Sequence, residues 1–167
     1  MQYANGKVSE IQIAYIGGGS MYWAKNLIAD LALEEQLSGT IRLYDLDYGK
    51  AKNNEKLGNS VSAYEDAKSH WKYKAYETLQ EALTGADFVF ISILPGTFAE
   101  MAIDVHEPET AGIYQPVGDT TGPGGLIRAL RTIPIVRGVR GSNRTPRAGC
   151  LGFQLYKSDD AVYADAL

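Results

Sequence analysis

Three consecutive glycines, Gly17, Gly18 and Gly19, follow the apolar run Ile11-Gln-Ile-Ala-Tyr-Ile16, and Ser20 closes the segment. Glycine accepts a left-handed backbone and lets the main chain approach another group where a Cβ would collide. Gly17 permits a tight turn, and Gly19 permits a close approach. A helical pattern begins directly afterwards, and Ser20 is a favourable residue to cap its amino end. The free N–H groups and positive dipole end of such a helix face the turn and attract an anion. Strand, glycine turn and helix start, in that order, can hold the diphosphate of a dinucleotide. In the full Gly-x-Gly-x-x-Gly pattern a third glycine falls at position 22, which is Tyr22 here. Its bulk predicts looser packing of the helix on the strand. A glycine turn by itself also fits an ordinary turn, so the surrounding elements decide.

The next strand supplies a carboxylate. Residues 40–46, Thr-Ile-Arg-Leu-Tyr-Asp-Leu, alternate and are rich in strand formers. Asp45 stands at the carboxyl end of this strand. A carboxylate there accepts hydrogen bonds from both hydroxyls of an adenosine ribose and repels a 2′-phosphate, which favours NAD over NADP. Asp45 and Asp47 together also fit a solvated turn followed by a helix cap.

The order of elements agrees with a dinucleotide fold. Leu27, Ile28, Leu31, Ala32 and Leu37 form a helical stripe over residues 26–37, with Gly39 closing it. A polar helix follows over residues 48–64. Thr78-Leu-Gln-Glu81 is a capping-box pattern opening a short helix that ends near Gly85. Residues 88–94 are apolar without alternation, as in a strand buried on both faces. This rhythm specifies an α/β fold: a Rossmann-like, doubly wound parallel sheet. Ile93-Leu-Pro95-Gly96 leaves the buried strand at its carboxyl end, where such sheets bind ligands. Pro95-Gly96 fits either an ordinary turn or a loop passing close to a cofactor. Thr97-Phe-Ala-Glu100 is a second capping box, starting a helix toward Glu109.

With 167 residues the chain can build one domain with a real core. Its net charge of −4 is interspersed, and no basic stripe marks a nucleic-acid partner. No apolar run approaches the roughly 20 residues of a membrane helix, and no secretion signal is visible. The single cysteine, Cys150, excludes an internal disulfide framework, so a cytoplasmic location is expected. His70 and His106 are the only histidines, and neither has a partner at ligand spacing. The sequence therefore shows no metal site.

Three segments together resemble one family: Ile-Ala-Tyr-Ile-Gly-Gly-Gly-Ser (13–20), Ile-Ser-Ile-Leu-Pro-Gly (91–96) and the long stretch 112–134, from Gly-Ile-Tyr-Gln-Pro-Val-Gly-Asp to Arg-Ala-Leu-Arg-Thr-Ile-Pro. They are similar to the amino-terminal third of glycoside hydrolase family 4, the NAD- and manganese-dependent glycosidases. The branch acting on α-galacturonides and related unphosphorylated α-glycosides is nearest in character. The resemblance covers residues 11–136. Most glycosidases flank the scissile bond with two carboxylates, and this family is an exception. The resemblance implies that NAD takes a hydride from C3 of the sugar, which acidifies the C2 proton. A divalent metal polarises the C2 and C3 oxygens, a base removes the C2 proton, and the glycosidic oxygen leaves by elimination. Water then adds and the hydride returns.

Carried over by position, the resemblance sets Gly17, Gly19, Ser20 and Met21 at the pyrophosphate and Asp45 on the ribose. Ile93, Pro95 and Gly96 would line the nicotinamide side. Asp119 matches an acidic position near the active centre, and equally fits a loop carboxylate capping a helix. Gly122-Pro-Gly-Gly125 would open the next helix. The phosphosugar branches carry an arginine in the loop after the buried strand; Leu94-Pro95-Gly96 here argues against a 6-phosphosugar. A small sugar substrate and a homo-oligomer are implied for the full-length form.

From Arg137 the texture changes. Six of the sixteen basic residues fall within residues 128–147, and helical patterning stops. The family has there a helix, a strand and an Asn-Tyr-Thr-Asn-Pro loop. Read one nucleotide later, permitted codons for residues 151–167 spell W-V-S-N-Y-T-N-P-M-T-L-C-T-R-T-L. The expectation is a frameshift near Val136, with residues 1–136 forming the NAD-binding domain and residues 137–167 an out-of-frame tail that does not pack. The competing reading is a genuine basic tail for an acidic partner. On the first reading, the family's metal ligands, base and second domain lie beyond the shift, and the chain alone is inactive. Two other functions stand beside the family reading. A lactate- or malate-type dehydrogenase shares the fold, but residues 118–125 do not fit it. A binding-only dinucleotide module is the other.

Overall fold

The computed structural model describes residues 1–115, 122–142, 151–155 and 162–165. They fall into two compact units. The first is Met1–Ser92 with the two last strands; the second begins at Ile93 and includes the described residues up to Ser142.

The first unit is built on a seven-stranded sheet. Strand β1 (Gln2–Ala4) turns into β2 (Lys7–Ile16) through Asn5 and Gly6, both left-handed (φ 52° and 75°). Two left-handed central residues give the hairpin turn whose twist matches the flanking strands, which explains Asn-Gly at this place. The remaining strands are β3 (Leu37–Tyr44), β4 (Lys72–Tyr76), β5 (Phe88–Ile91), β6 (Leu151–Leu155) and β7 (Val162–Asp165). Their order is β4-β3-β2-β5-β6-β7. Pairing is parallel from β4 through β6, and β6–β7 is antiparallel. The parallel, doubly wound sheet expected from the order of elements is present.

The connecting helices are α1 (Trp23–Leu33), α2 (Tyr48–Ser62) and the short α3 (Leu79–Leu83). Alternate residues Ile13, Tyr15, Ile41, Leu43, Tyr73 and Ala75 point to one sheet face and pack with Ala24, Ile28 and Leu31 of α1 and Ala51 of α2. Trp71, 2% exposed, closes the same core. Each large side chain so buried stabilises the fold by about 1.5–3 kcal/mol relative to exposure. Small residues let α2 lie flush on β4: a Cβ on Gly58 would stand 2.4 Å from the ring of Tyr73. The capping box foreseen at α3 is formed in both directions by Thr78 and Glu81.

Several boundaries differ from the sequence reading. The helical stripe read over 26–37 ends at Leu33, and Leu37 begins β3. Leu33 and Leu37 are exposed, so neither belongs to the buried face of α1. Gly39 does not close a helix; it sits opposite Ile11 beside an irregularity in the β2–β3 register, where Glu10 has φ 59°. A Cβ on Gly39 would lie 2.0 Å from the Ile11 carbonyl oxygen, so only glycine fits this bulged pairing. Strand β5 also stops at Ile91 rather than at position 94.

In the second unit α4 (Phe98–His106) opens on a complete capping box of Thr97 and Glu100. A 3-10 helix (Glu107–Ala111) continues it and ends on left-handed Gly112. Helix α5 (Gly122–Ser142) begins at the glycines foreseen for it. Gly124 lets α5 press on α4, since a Cβ there would meet the Asp104 carbonyl oxygen at 2.1 Å. The helix runs through Pro134 and past Arg137, where the sequence reading has it stop. Arg128, Thr132, Val136 and Val139 keep the spacing of one helical face, and all four are at least partly buried. Beyond it, Leu151–Leu155, expected not to pack, pairs in parallel with β5 in the register Phe88–Leu151.

Candidate dinucleotide site

The glycine turn hangs from the end of β3. Gly17, with φ 97°, and Gly18 both donate their N–H to the Tyr44 carbonyl at 2.9 Å. The Ser20 N–H returns to the Gly17 carbonyl at 3.1 Å. Gly18 has no room for a side chain, because a Cβ would meet Leu43 at 2.9 Å. At Gly19 the close approach is to Asp45 and Lys50: a Cβ would stand 2.8 Å from the Asp45 carboxylate and from Lys50 Cβ.

Asp45 is joined to the turn directly. Its Oδ2 accepts the Gly19 N–H at 2.8 Å, and its Oδ1 accepts the Asp47 N–H at 3.0 Å. Each carboxylate oxygen has a second lone pair for a further donor such as a sugar hydroxyl. Asp47 has a separate task as the cap of α2, accepting the Lys50 N–H at 3.1 Å. That backbone donor, helped by the Lys50 side chain, holds the Asp47 carboxyl below the usual carboxylate range.

Ser20 acts on the helix start, although α1 itself begins only at Trp23. Its Oγ accepts the Trp23 N–H at 3.0 Å. The Met21 N–H meets no acceptor among the described residues, and the Met21 side chain is exposed. Tyr22, at the position of the absent third glycine, is also exposed and stacks edge-on against Trp23, centroids 6.0 Å apart.

One residue of this site was not found in the sequence. Asn54, on the buried side of α2 and 4% exposed, donates from Nδ2 to the Gly18 carbonyl at 2.8 Å and the Ser20 carbonyl at 3.0 Å. The available signal was its place beside Ala51 and Gly58 on the small-residue face of a helix that is otherwise polar.

Thus Gly17, Gly19, Ser20, Met21 and Asp45 come together in the first unit. Ile93, Pro95 and Gly96 belong to the second, in the loop leaving β5. Gly96 is left-handed (φ 95°); a Cβ there would meet Glu100 Oε2 at 2.9 Å and Arg131 Nε at 3.4 Å. Glu100 also accepts the Thr97 N–H, which with the Thr97 hydroxyl lowers its carboxyl below the ordinary value. Arg131 in turn grips the buried Asp104 with both terminal nitrogens. Asp119 lies outside the described residues. His70 faces the Ser62 carbonyl and His106 faces Glu109. Among the described residues no three His, Cys, Asp or Glu side chains gather as metal ligands. A recess of about 660 Å³ opens at the β4 edge, and no residue of the glycine turn lines it. Three of the four cations that line it have partners: Arg42 donates to the Ala82 and Glu81 carbonyls, Lys52 pairs with Glu55, and Lys74 lies over the Tyr76 ring.

The relatives agree with this architecture. An α-galacturonidase of Thermoanaerobacterium saccharolyticum is 64% identical over 135 residues, covering 81% of this chain and 29% of the relative. The α-galacturonidase of Bacillus subtilis is 53% identical over 128 residues, 77% of this chain and 28% of that protein. Among solved structures, lplD from Bacillus subtilis superposes with a TM-score of 0.75 at 47% identity, covering 87% of this chain and 33% of the other. A 6-phospho-β-glucosidase from Thermotoga maritima, solved with manganese, NAD+ and glucose-6-phosphate, gives 0.67 at 28% identity, over 87% of this chain and 34% of that one. The chain thus spans under a third of the length of these curated relatives. The model for "Family 4 glycosyl hydrolase" matches residues 12–142, and the chain belongs to that family.

Proposed function

We propose that the first unit binds NAD and that the chain is the cofactor-binding part of a family 4 glycosidase acting on an α-galacturonide. The observation that carries the cofactor reading is the turn itself: Gly17–Ser20 fixed at the end of β2, with the Asp45 carboxylate bonded to it at 2.8 Å and the Met21 N–H without an acceptor among the described residues. The donor set fits the dinucleotide. An outward amide beside a helix start suits a diphosphate, and Asp45 keeps lone pairs for ribose hydroxyls. When bound, NAD supplies the oxidising power that takes a hydride from the sugar; the described residues bind and orient it. Among the described residues no three His, Cys, Asp or Glu side chains gather to hold a metal such as the manganese of the Thermotoga structure. The α-galacturonide assignment rests on the 64% identity to an enzyme of that name and on Leu94-Pro95-Gly96 lacking an arginine for a sugar phosphate. Asp119 remains a candidate acid of the active centre. A cytoplasmic location and self-association of the full-length form belong to the same proposal, as does a change of reading frame near Val136, which resequencing the gene across that junction decides.

Calorimetric titration tests the cofactor reading. NAD is expected to bind, with NADP at least about tenfold weaker because Asp45 repels the 2′-phosphate. Asp45→Ala should weaken NAD and narrow the preference. Absence of NAD binding by folded protein rejects the proposal. The chain alone, given NAD and manganese, is expected to leave an α-galacturonide intact.

A further inference from the structure

We infer that Asn54 is a positioning residue for the dinucleotide, setting the direction in which the glycine turn presents its amides; this rests on the NAD reading above. A trans peptide is planar, and its C=O and N–H point opposite ways. Fixing a carbonyl therefore aims the next residue's amide. The Gly18 carbonyl points into the Asn54 amide at 2.8 Å, so the Gly19 N–H points away from it, to Asp45 Oδ2 at 2.8 Å. Asn54 and Asp45 thus hold one peptide plane from its two sides, one donating and the other accepting. The same Asn54 nitrogen donates its second hydrogen to the Ser20 carbonyl at 3.0 Å. That sets the Ser20–Met21 peptide with the Met21 N–H facing outward, and this amide has no acceptor among the described residues.

Asparagine suits the task chemically. A terminal amide has two N–H donors on one atom and can tie two carbonyls at once. A carboxylate of the same shape would repel both. A hydroxyl could serve only one. Asn54 is 4% exposed, so water does not readily replace the lost donors. The residue never touches the ligand on this account; it acts through the backbone it holds.

The test compares the wild-type chain with Asn54→Asp and Asn54→Ser, reading NAD affinity by calorimetry and amide hydrogen exchange at the bonded amides of Gly18, Gly19 and Ser20 without ligand. Asn54→Asp is expected to weaken NAD about tenfold or more and to speed exchange at the turn, with exchange in β2 and β3 unchanged. Asn54→Ser, keeping one donor, should fall between the two. Unaltered NAD affinity in a folded Asn54→Asp chain overturns the inference, as does loss of protection spread evenly over the first unit. If the wild-type chain binds no NAD yet the turn amides are selectively loosened in the variants, the cofactor reading fails while the hold of Asn54 on the turn stands.

Discussion

Two glycine loops leave neighbouring parallel strands of this chain, and they are held by different chemistry. The turn after β2 is fixed by groups that bond its own peptides: the neutral amide of Asn54 on two carbonyls and Asp45 on the Gly19 N–H. The loop after β5 is walled by charge. Glu100 and Arg131 stand against Gly96, and Arg131 is tied to Asp104, whose side chain is 1% exposed. The first arrangement fixes the direction of individual amides. The second fixes one amide, the Thr97 N–H on the Glu100 carboxylate, and leaves both carbonyls and the rest of the loop to charge and contact from two helices. On the proposed NAD reading, a turn that meets a diphosphate needs several of its peptides held at once, as the turn after β2 has them.

The largest expected effect lies in the charged arrangement. Asp104→Ala leaves the partly buried Arg131 guanidinium without its carboxylate and should lower unfolding free energy by about 3 kcal/mol, measured by urea titration. Replacing both with a same-sized apolar pair should recover most of that loss. Next comes Gly19→Ala. A Cβ at 2.8 Å from Asp45 and Lys50 must displace one of them, which costs about 1–3 kcal/mol and should remove NAD binding. An Ala at Gly85, which is left-handed (φ 78°) and where a Cβ would meet nothing within 4 Å, should cost about 1 kcal/mol and spare NAD. The smallest effect separates the loops by pH. The Glu100 carboxyl is lowered in the folded state by the Thr97 donors, so its contribution is present above the unfolded carboxyl pKa of about 4.3. That contribution disappears as pH falls through the folded value. The difference in thermal midpoint between wild type and Glu100→Gln should therefore shrink below about pH 4. A constant difference across that range would mean that Glu100 acts by packing alone.

What the sequence shows clearly is what is local. The two capping boxes, Thr78–Glu81 and Thr97–Glu100, are read from residues three apart and are formed as read. The glycine turn and Asp45 are legible because strand, turn and strand end repeat a fixed spacing. Less legible is whatever depends on a distant partner. Gly39 resembles a helix stop until Ile11 is placed opposite it. Strand β4, Lys-Tyr-Lys-Ala-Tyr, carries the alternation of an edge strand, yet five residues between a polar helix and a capping box are easily passed over. Asn54 looks like one more polar residue in a polar helix. Only the fold shows that it lies under the turn, 36 positions from Gly18 in the chain.

The chain has two tryptophans, and their surroundings make them independent optical reporters. Trp71 is sealed in the core at 2% exposure, so its emission should stay blue and resist iodide until the sheet melts. Trp23, 40% exposed at the mouth of the glycine turn, should be red-shifted and quenchable from the start. A Trp71→Phe chain would leave Trp23 as the sole indole beside the turn, turning the molecule into its own fluorescent gauge of occupancy without any attached dye.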